Sequence, residues 1–178
     1  MDKPFGIWEL KALCSEDIIE LVIPDGYTTI MSETFWLYKQ LFDKDYTKSL
    51  VSVRLPETIT QIEHGILQWT NVTEINFPSS LTHLDEYAFY ETNLKKIDLT
   101  KCLGLTRIPK RCFVGCEFIE EVIIPDYVTE IGDGCFAVYA YKRGKNILKK
   151  VSIPVGLIHF GEHVFKNRDN FEIHIRLR

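Results

Sequence analysis

A chain of 178 residues, 46% of them apolar, has the material for one domain with its own core. The formal net charge of -4 argues against a polycation that coats nucleic acid, and the longest apolar runs are far too short to span a bilayer. The five cysteines (Cys14, Cys102, Cys112, Cys116 and Cys135) are odd in number and form no C-x-x-C pair, which argues against a disulfide framework or a zinc site.

The first segment, Met1-Asp2-Lys3-Pro4-Phe5-Gly6-Ile7-Trp8-Glu9-Leu10, lacks the unbroken apolar stretch and small-residue cleavage site of a secretory signal. With Met1 as the native start, the expected location is the cytoplasm. Had a signal been trimmed ahead of Met1, it would be the cell surface or the exterior. Residues 1–16 are expected to cap a repeat array that occupies residues 17–170.

Six units follow, marked by an apolar residue before a proline. The first runs Ile18, Leu21, Ile23-Pro24, Tyr27, Ile30 and Phe35. The second runs Leu50, Val53, Leu55-Pro56, Ile59, Ile62 and Leu67, and the third Val72, Ile75, Phe77-Pro78, Leu81, Leu84 and Phe89. In the fourth, Leu99-Thr100 replaces the proline step and two extra residues precede Leu105; Leu94, Ile97, Ile108 and Phe113 keep their places. The fifth has Ile119, Val122, Ile124-Pro125, Val128, Ile131 and Phe136, and the sixth Leu148, Val151, Ile153-Pro154, Leu157, Phe160 and Phe165. Every one of these columns is apolar in every unit. Because proline cannot donate to a sheet ladder, it belongs at the end of a strand, where it opens a turn. A unit of about 22 residues cannot enclose its own apolar face, so the units must stack, with parallel strands about 4.8 Å apart.

Stretches such as Ile119-Glu120-Glu121-Val122-Ile123-Ile124-Pro125-Asp126-Tyr127-Val128-Thr129-Glu130-Ile131-Gly132-Asp133-Gly134-Cys135-Phe136, and Phe113-Val114-Gly115-Cys116, resemble the BspA-like class of leucine-rich repeats over about residues 17–170. The resemblance implies a leucine-rich repeat solenoid with a parallel sheet on one face and less regular segments on the other. It also implies a non-enzymatic binding protein, since members of that class are chiefly binding proteins and many stand on cell surfaces. Residues 171–178 alternate Phe171, Ile173, Ile175 and Leu177 with Glu172, His174, Arg176 and Arg178. They read as a terminal capping strand with a charged outer face, or as an edge open to strand addition or self-association.

Strand residues between core positions must point outward. One such column holds Glu20, Ser52, Glu74, Lys96, Glu121 and Lys150, and the next holds Val22, Arg54, Asn76, Asp98, Ile123 and Ser152. Their mixed charge suits a protein partner. The register predicts that Ile97→Asp unfolds its neighbours, whereas Asn76→Ala costs little. Two insertions follow the buried aromatic position, where the proline interval grows from 22 to 32 residues in the first unit and to 29 in the fifth. They should emerge on one edge. Trp36 and Tyr38 in the first, and Tyr139, Tyr141, Lys142 and Arg143 in the second, are candidate contact residues; Phe35, Tyr38 and Phe42 also have helical spacing, so part of the first insertion is free to pack down.

No catalytic motif is present: there is no G-x-S-x-G, no H-E-x-x-H, no phosphate-binding loop and no dinucleotide-binding glycine run. The histidines and cysteines fall into structural columns, which leaves neither metal site nor cofactor to propose. Residues 141–178 carry nine Lys or Arg against three Asp or Glu. A basic end could serve an inhibitor or host-interaction factor acting on an enzyme or nucleoprotein, although aromatic residues interleave with basic ones only at the second insertion, which disfavours nucleic acid. The leading expectation is a non-enzymatic protein-binding module that uses the sheet face and the insertions.

Overall fold

A computed structural model describes residues 2–13, 18–42, 48–140 and 147–176. In chain order its elements are β1 (Pro4–Phe5), α1 (Ile7–Leu13), β2 (Glu20–Val22), β3 (Thr29–Ile30), α2 (Thr34–Phe42), β4 (Ser52–Arg54), β5 (Gln61–Ile62), β6 (Glu74–Ile75) and β7 (His83–Leu84). There follow β8 (Lys96–Asp98), β9 (Arg107–Ile108), β10 (Glu121–Ile123), β11 (Glu130–Ile131), β12 (Lys150–Pro154), β13 (His159–Phe160) and β14 (Glu172–Arg176).

Each unit lays one strand before its proline step and a two-residue strand after it, and both kinds stack in parallel on their counterparts. Leu21 lies opposite Val53 and Val53 opposite Ile75; farther along, Ile97, Val122, Val151 and Ile173 form one row. On the second face Phe5, Ile30, Ile62 and Leu84 form a row, as do Ile108, Ile131 and Phe160. The face expected to be irregular is therefore itself a sheet. Two-residue strands suffice because the pleat needs only one inward residue per turn, here Ile62 or Ile131.

A third side comes from the turns that carry the buried aromatic. Phe89 N–H donates to Cys112 O at 3.0 Å, Phe113 N–H to Cys135 O at 2.9 Å and Phe136 N–H to Val164 O at 2.9 Å. Inside this ladder the rings of Phe89, Phe113, Phe136 and Phe165 stack within 8° of parallel, with centroids 5.0, 5.3 and 5.3 Å apart. Phe89, Phe113 and Phe165 each sit between two left-handed residues, for example Arg111 (φ 56°) and Gly115 (φ 81°) around Phe113, and Gly134 (φ 59°) precedes Phe136. These close the tight turn that aims the ring inward. Three hydrogen-bonded sides enclose the apolar columns, and burying each Leu, Ile or Phe contributes about 1.5–3 kcal/mol.

The exceptions to burial fall at three places. Ile18 and Tyr27 in the first turn, and Ile153, Leu157 and Phe165 in the last, are half-buried; Phe160 in the last is exposed. The third place is Ile75, half-buried in the middle of the stack. There both sheets are interrupted: β6 does not pair with β8, nor β7 with β9. The fourth unit is the one that lacks the proline and has two added residues, with Cys102 buried under Pro78. The addition lies between β8 and β9; across the step Lys95 N–H still donates to Thr73 O at 3.2 Å, and the aromatic turns stay bonded through Phe89–Cys112 and Glu91–Val114.

At the first end, α1 packs on α2, with Trp8 edge-on to Phe42 at 5.8 Å and Leu10 buried. At the other end β14 adds to β12, with Glu172, His174 and Arg176 on the outward face.

Candidate functional site

The interruption between β6 and β8 opens a groove of about 550 Å3 on the outward face of the first sheet. Ser52, Arg54, Glu74, Asn76, Lys96 and Asp98 line it, all drawn from the two outward strand columns, together with Lys95, Thr100 and Lys101. Five of the candidate contact residues, Arg54, Glu74, Asn76, Lys96 and Asp98, are thus brought together. Val22 and Glu20 stand at the β2 edge, and Glu121, Ile123 and Lys150 on β10 and β12 beyond the break.

The groove is polar and internally braced. Arg54 Nε lies 2.5 Å from Glu20, and Lys96 Nζ lies 3.1 Å from Glu121 and 3.2 Å from Asp98. All these side chains are at least a third exposed, so each pair adds little stability and mainly fixes the charge pattern. Glu121 and then Asp98 hold the Lys96 ammonium above its ordinary pKa. Burial pushes the Asp98 carboxyl up, but hydrogen bonds from the Thr100 hydroxyl and N–H and from Lys96 outweigh it and keep the group below the usual carboxylate range. Lys95 and Lys101 line the groove and make no ion pair among the described residues.

Asn76 departs from the expected picture. Its Oδ1 accepts from Leu55 N–H at 2.7 Å and its Nδ2 donates to Leu55 O at 2.8 Å. The amide does for one residue what a continued β6 would do, since β6 ends at Ile75. Asn76→Ala therefore strips two backbone partners and does not leave stability untouched, as the outward position alone had suggested. Ser152, expected outward, is buried.

On the edge, α2 buries Phe35 and Tyr38, the latter tilted against Phe42 at 4.8 Å. Tyr38 is thus corrected from a contact residue to a core residue: its place three after Phe35 turns it down onto the stack. Trp36 is exposed and faces a cleft of about 240 Å3 shared with Lys39, Gln40, Lys48, Gln68 and Trp69. Trp69 is a residue the sequence reading missed; its only signal is its place two residues after the buried Leu67, a left-handed position in several units. Tyr139 is half-buried and donates its hydroxyl to Tyr90 O–H at 2.8 Å. Tyr141, Lys142 and Arg143 lie outside the described residues.

The basic end is largely spoken for among the described residues. Lys149 pairs with Glu120 at 2.6 Å and Arg176 with Asp126 at 3.0 Å. Arg168 is buried, donates to Phe136 O and Cys116 O at 2.6 Å each, and is pulled down to a pKa of about 10 by desolvation. Sequence position gave no warning of that role. Cys102, Cys112, Cys116 and Cys135 are buried. Desolvation raises the Cys102 thiol to about 12 and holds Cys112 and Cys135 well above the ordinary range, so these are inert core thiols. Among the described residues no group of three or more His, Cys, Asp or Glu is placed to hold a metal ion, and no helix is long and apolar enough to cross a membrane.

No curated protein matches the sequence. Among the similar solved structures are a leucine rich cell surface protein from Faecalibacterium prausnitzii A2-165 (19% identity, TM-score 0.37, 86% of this chain and 59% of that one) and a leucine-rich repeat protein from Bacteroides ovatus ATCC 8483 (14%, 0.41, 88% and 59%). The chain thus spans 59% of the length of each. The model of the BspA type leucine rich repeat region matches in six copies, over residues 9–136 and 37–172, and the chain belongs to that family.

Proposed function

We propose that the protein is a non-enzymatic protein-binding module whose partner lies in the groove between β6 and β8, with the α2 edge around Trp36 and Trp69 as a flanking contact. The observation that carries this reading is the convergence of Arg54, Glu74, Asn76, Lys96 and Asp98 on one concavity of the sheet face. Members of a repeat array use such extended surfaces for partners, because the frame holds outward side chains in fixed rows. Four cations line the groove against two carboxylates, and Lys95 and Lys101 make no ion pair among the described residues. A partner segment carrying Asp or Glu therefore fits best, and the braced pairs of Lys96 supply a fixed pattern that rejects a like-charged partner.

The experiment is affinity capture from the native cell with the immobilised chain, followed by binding measurements on the captured protein. The double reversal Lys95→Glu and Lys101→Glu should weaken binding at least about tenfold with the fold intact, since both side chains are exposed. Undiminished binding by that variant would place the partner elsewhere and sink the reading.

A further inference from the structure

We infer that β14 is a self-recognition edge: a second copy of this chain pairs with it antiparallel, about a twofold axis through the two His174 residues. This goes beyond the groove and uses the opposite end of the first sheet.

The backbone defines the edge. β14 pairs on one side only, with β12. Glu172 N–H donates to Lys149 O at 2.8 Å and Arg176 O accepts from Val155 N–H at 3.1 Å. Residues 172, 174 and 176 thus turn their N–H and C=O groups toward β12. By alternation Ile173 and Ile175 turn theirs to the open side, where no strand pairs with them among the described residues.

The side chains beside those groups are apolar and uncovered. Ile173 and Ile175 continue the inner row of Val151 and Ile153, yet they are 54% and 63% exposed. On the same end of the stack Ile158 is 84% exposed and Phe160 48%. An unpaired edge next to an apolar patch is the arrangement that soluble proteins cover or blunt.

The sequence of the strand says what covers it. Glu172-Ile173-His174-Ile175-Arg176 is reciprocal when reversed. Antiparallel pairing centred on His174 sets Glu172 against Arg176 of the other copy, twice, and Ile173 against Ile175, twice. The backbone permits this register, because Ile173 and Ile175 both present edge-facing groups and become the hydrogen-bonded pairs, while the two His174 residues form a non-bonded pair. A shift of one residue would set edge-facing groups against groups already bound to β12. A shift of two loses the Glu172–Arg176 pairs. Arg176 Nη2 already meets Asp126 at 3.0 Å and donates to Ile124 O, which leaves Nη1 to meet Glu172 of the other copy, while the backbone edge carries the register. The contact is isologous and closes on itself, as in a C2 dimer.

The test is the mass in solution of the full chain by sedimentation, with Cys14→Ser as background. A dimer that dissociates on dilution is expected. Ile175→Pro removes an edge-facing donor without touching a bond to β12, so it should raise the dissociation constant at least about tenfold and leave the circular dichroism unchanged. Should that variant lower Tm, Glu172→Arg serves instead, since its side chain is 79% exposed, and it too should be monomeric. His174→Cys should link two copies under mild oxidation, because non-bonded antiparallel pairs hold their Cβ atoms about 4.5–5.5 Å apart; Glu172→Cys should not. A monomer at every concentration overturns the inference. So does a dimer indifferent to Ile175→Pro and Glu172→Arg, or equal linking by Glu172→Cys.

Discussion

Asn76 shows how far a residue's column can mislead about its task. Period-two alternation places it outward, and it is outward. Nothing in one strand's own pattern reveals that the neighbouring Leu55 lacks a ladder partner, because that depends on where β6 stops. Asn76→Ala should lower unfolding free energy by about 1–2 kcal/mol in urea titration, with the midpoint shifted and the slope retained. Asn76→Asp keeps the acceptor for Leu55 N–H but sets a carboxylate against Leu55 O, so it should not rescue. Tyr38 teaches the converse. Its aromatic, polar-tipped side chain suits an interface, but helical spacing from Phe35 draws it into the core, and the same spacing was visible in the sequence.

At the scale of the strand and turn, the repeat columns were legible because each apolar position is read six times over, so local irregularity averages out. The registers of β10 with β12 and of β3 with β5 follow those columns residue for residue. The helix α2 was legible from Phe35, Tyr38 and Phe42. Illegible were the interruption after β6 and the buried Arg168, since both depend on how one turn sits on the next. The turn cysteines make an element-level prediction. Burial raises the thiols of Cys102, Cys112 and Cys135, so the folded chain keeps protons that the unfolded chain releases above pH 9.0. Their contribution is whole below that pH and is lost as pH rises toward the folded value, about 12 for Cys102. Stability should fall above pH 9.0, and Cys102→Ala should remove about 1.4 kcal/mol per pH unit of that slope, read from denaturant midpoints.

For the whole molecule, the interruption divides each sheet into two blocks joined by aromatic turns. Ile97 is fully buried at the start of the second block, opposite Val122. Ile97→Asp should cost about 4 kcal/mol or more. Because stacked repeats are coupled to nearest neighbours, hydrogen exchange should show protection lost across β8 to β12 before it is lost across β4 and β5. Simultaneous loss everywhere would mean that the turns transmit the damage as strongly as the sheets do.

The column of Phe89, Phe113, Phe136 and Phe165 bears on how such a chain can change over generations. Its ring spacings of 5.0 to 5.3 Å nearly equal the rise between strands, about 4.8 Å, so spine and sheets climb at the same pitch. A gene segment copied or lost in one whole unit brings or removes one ring and one rung from each side, and the remainder closes up unchanged. A fractional copy throws the rings and the rungs out of phase. Lineages of this array are therefore free to vary in length, but only by counting in turns.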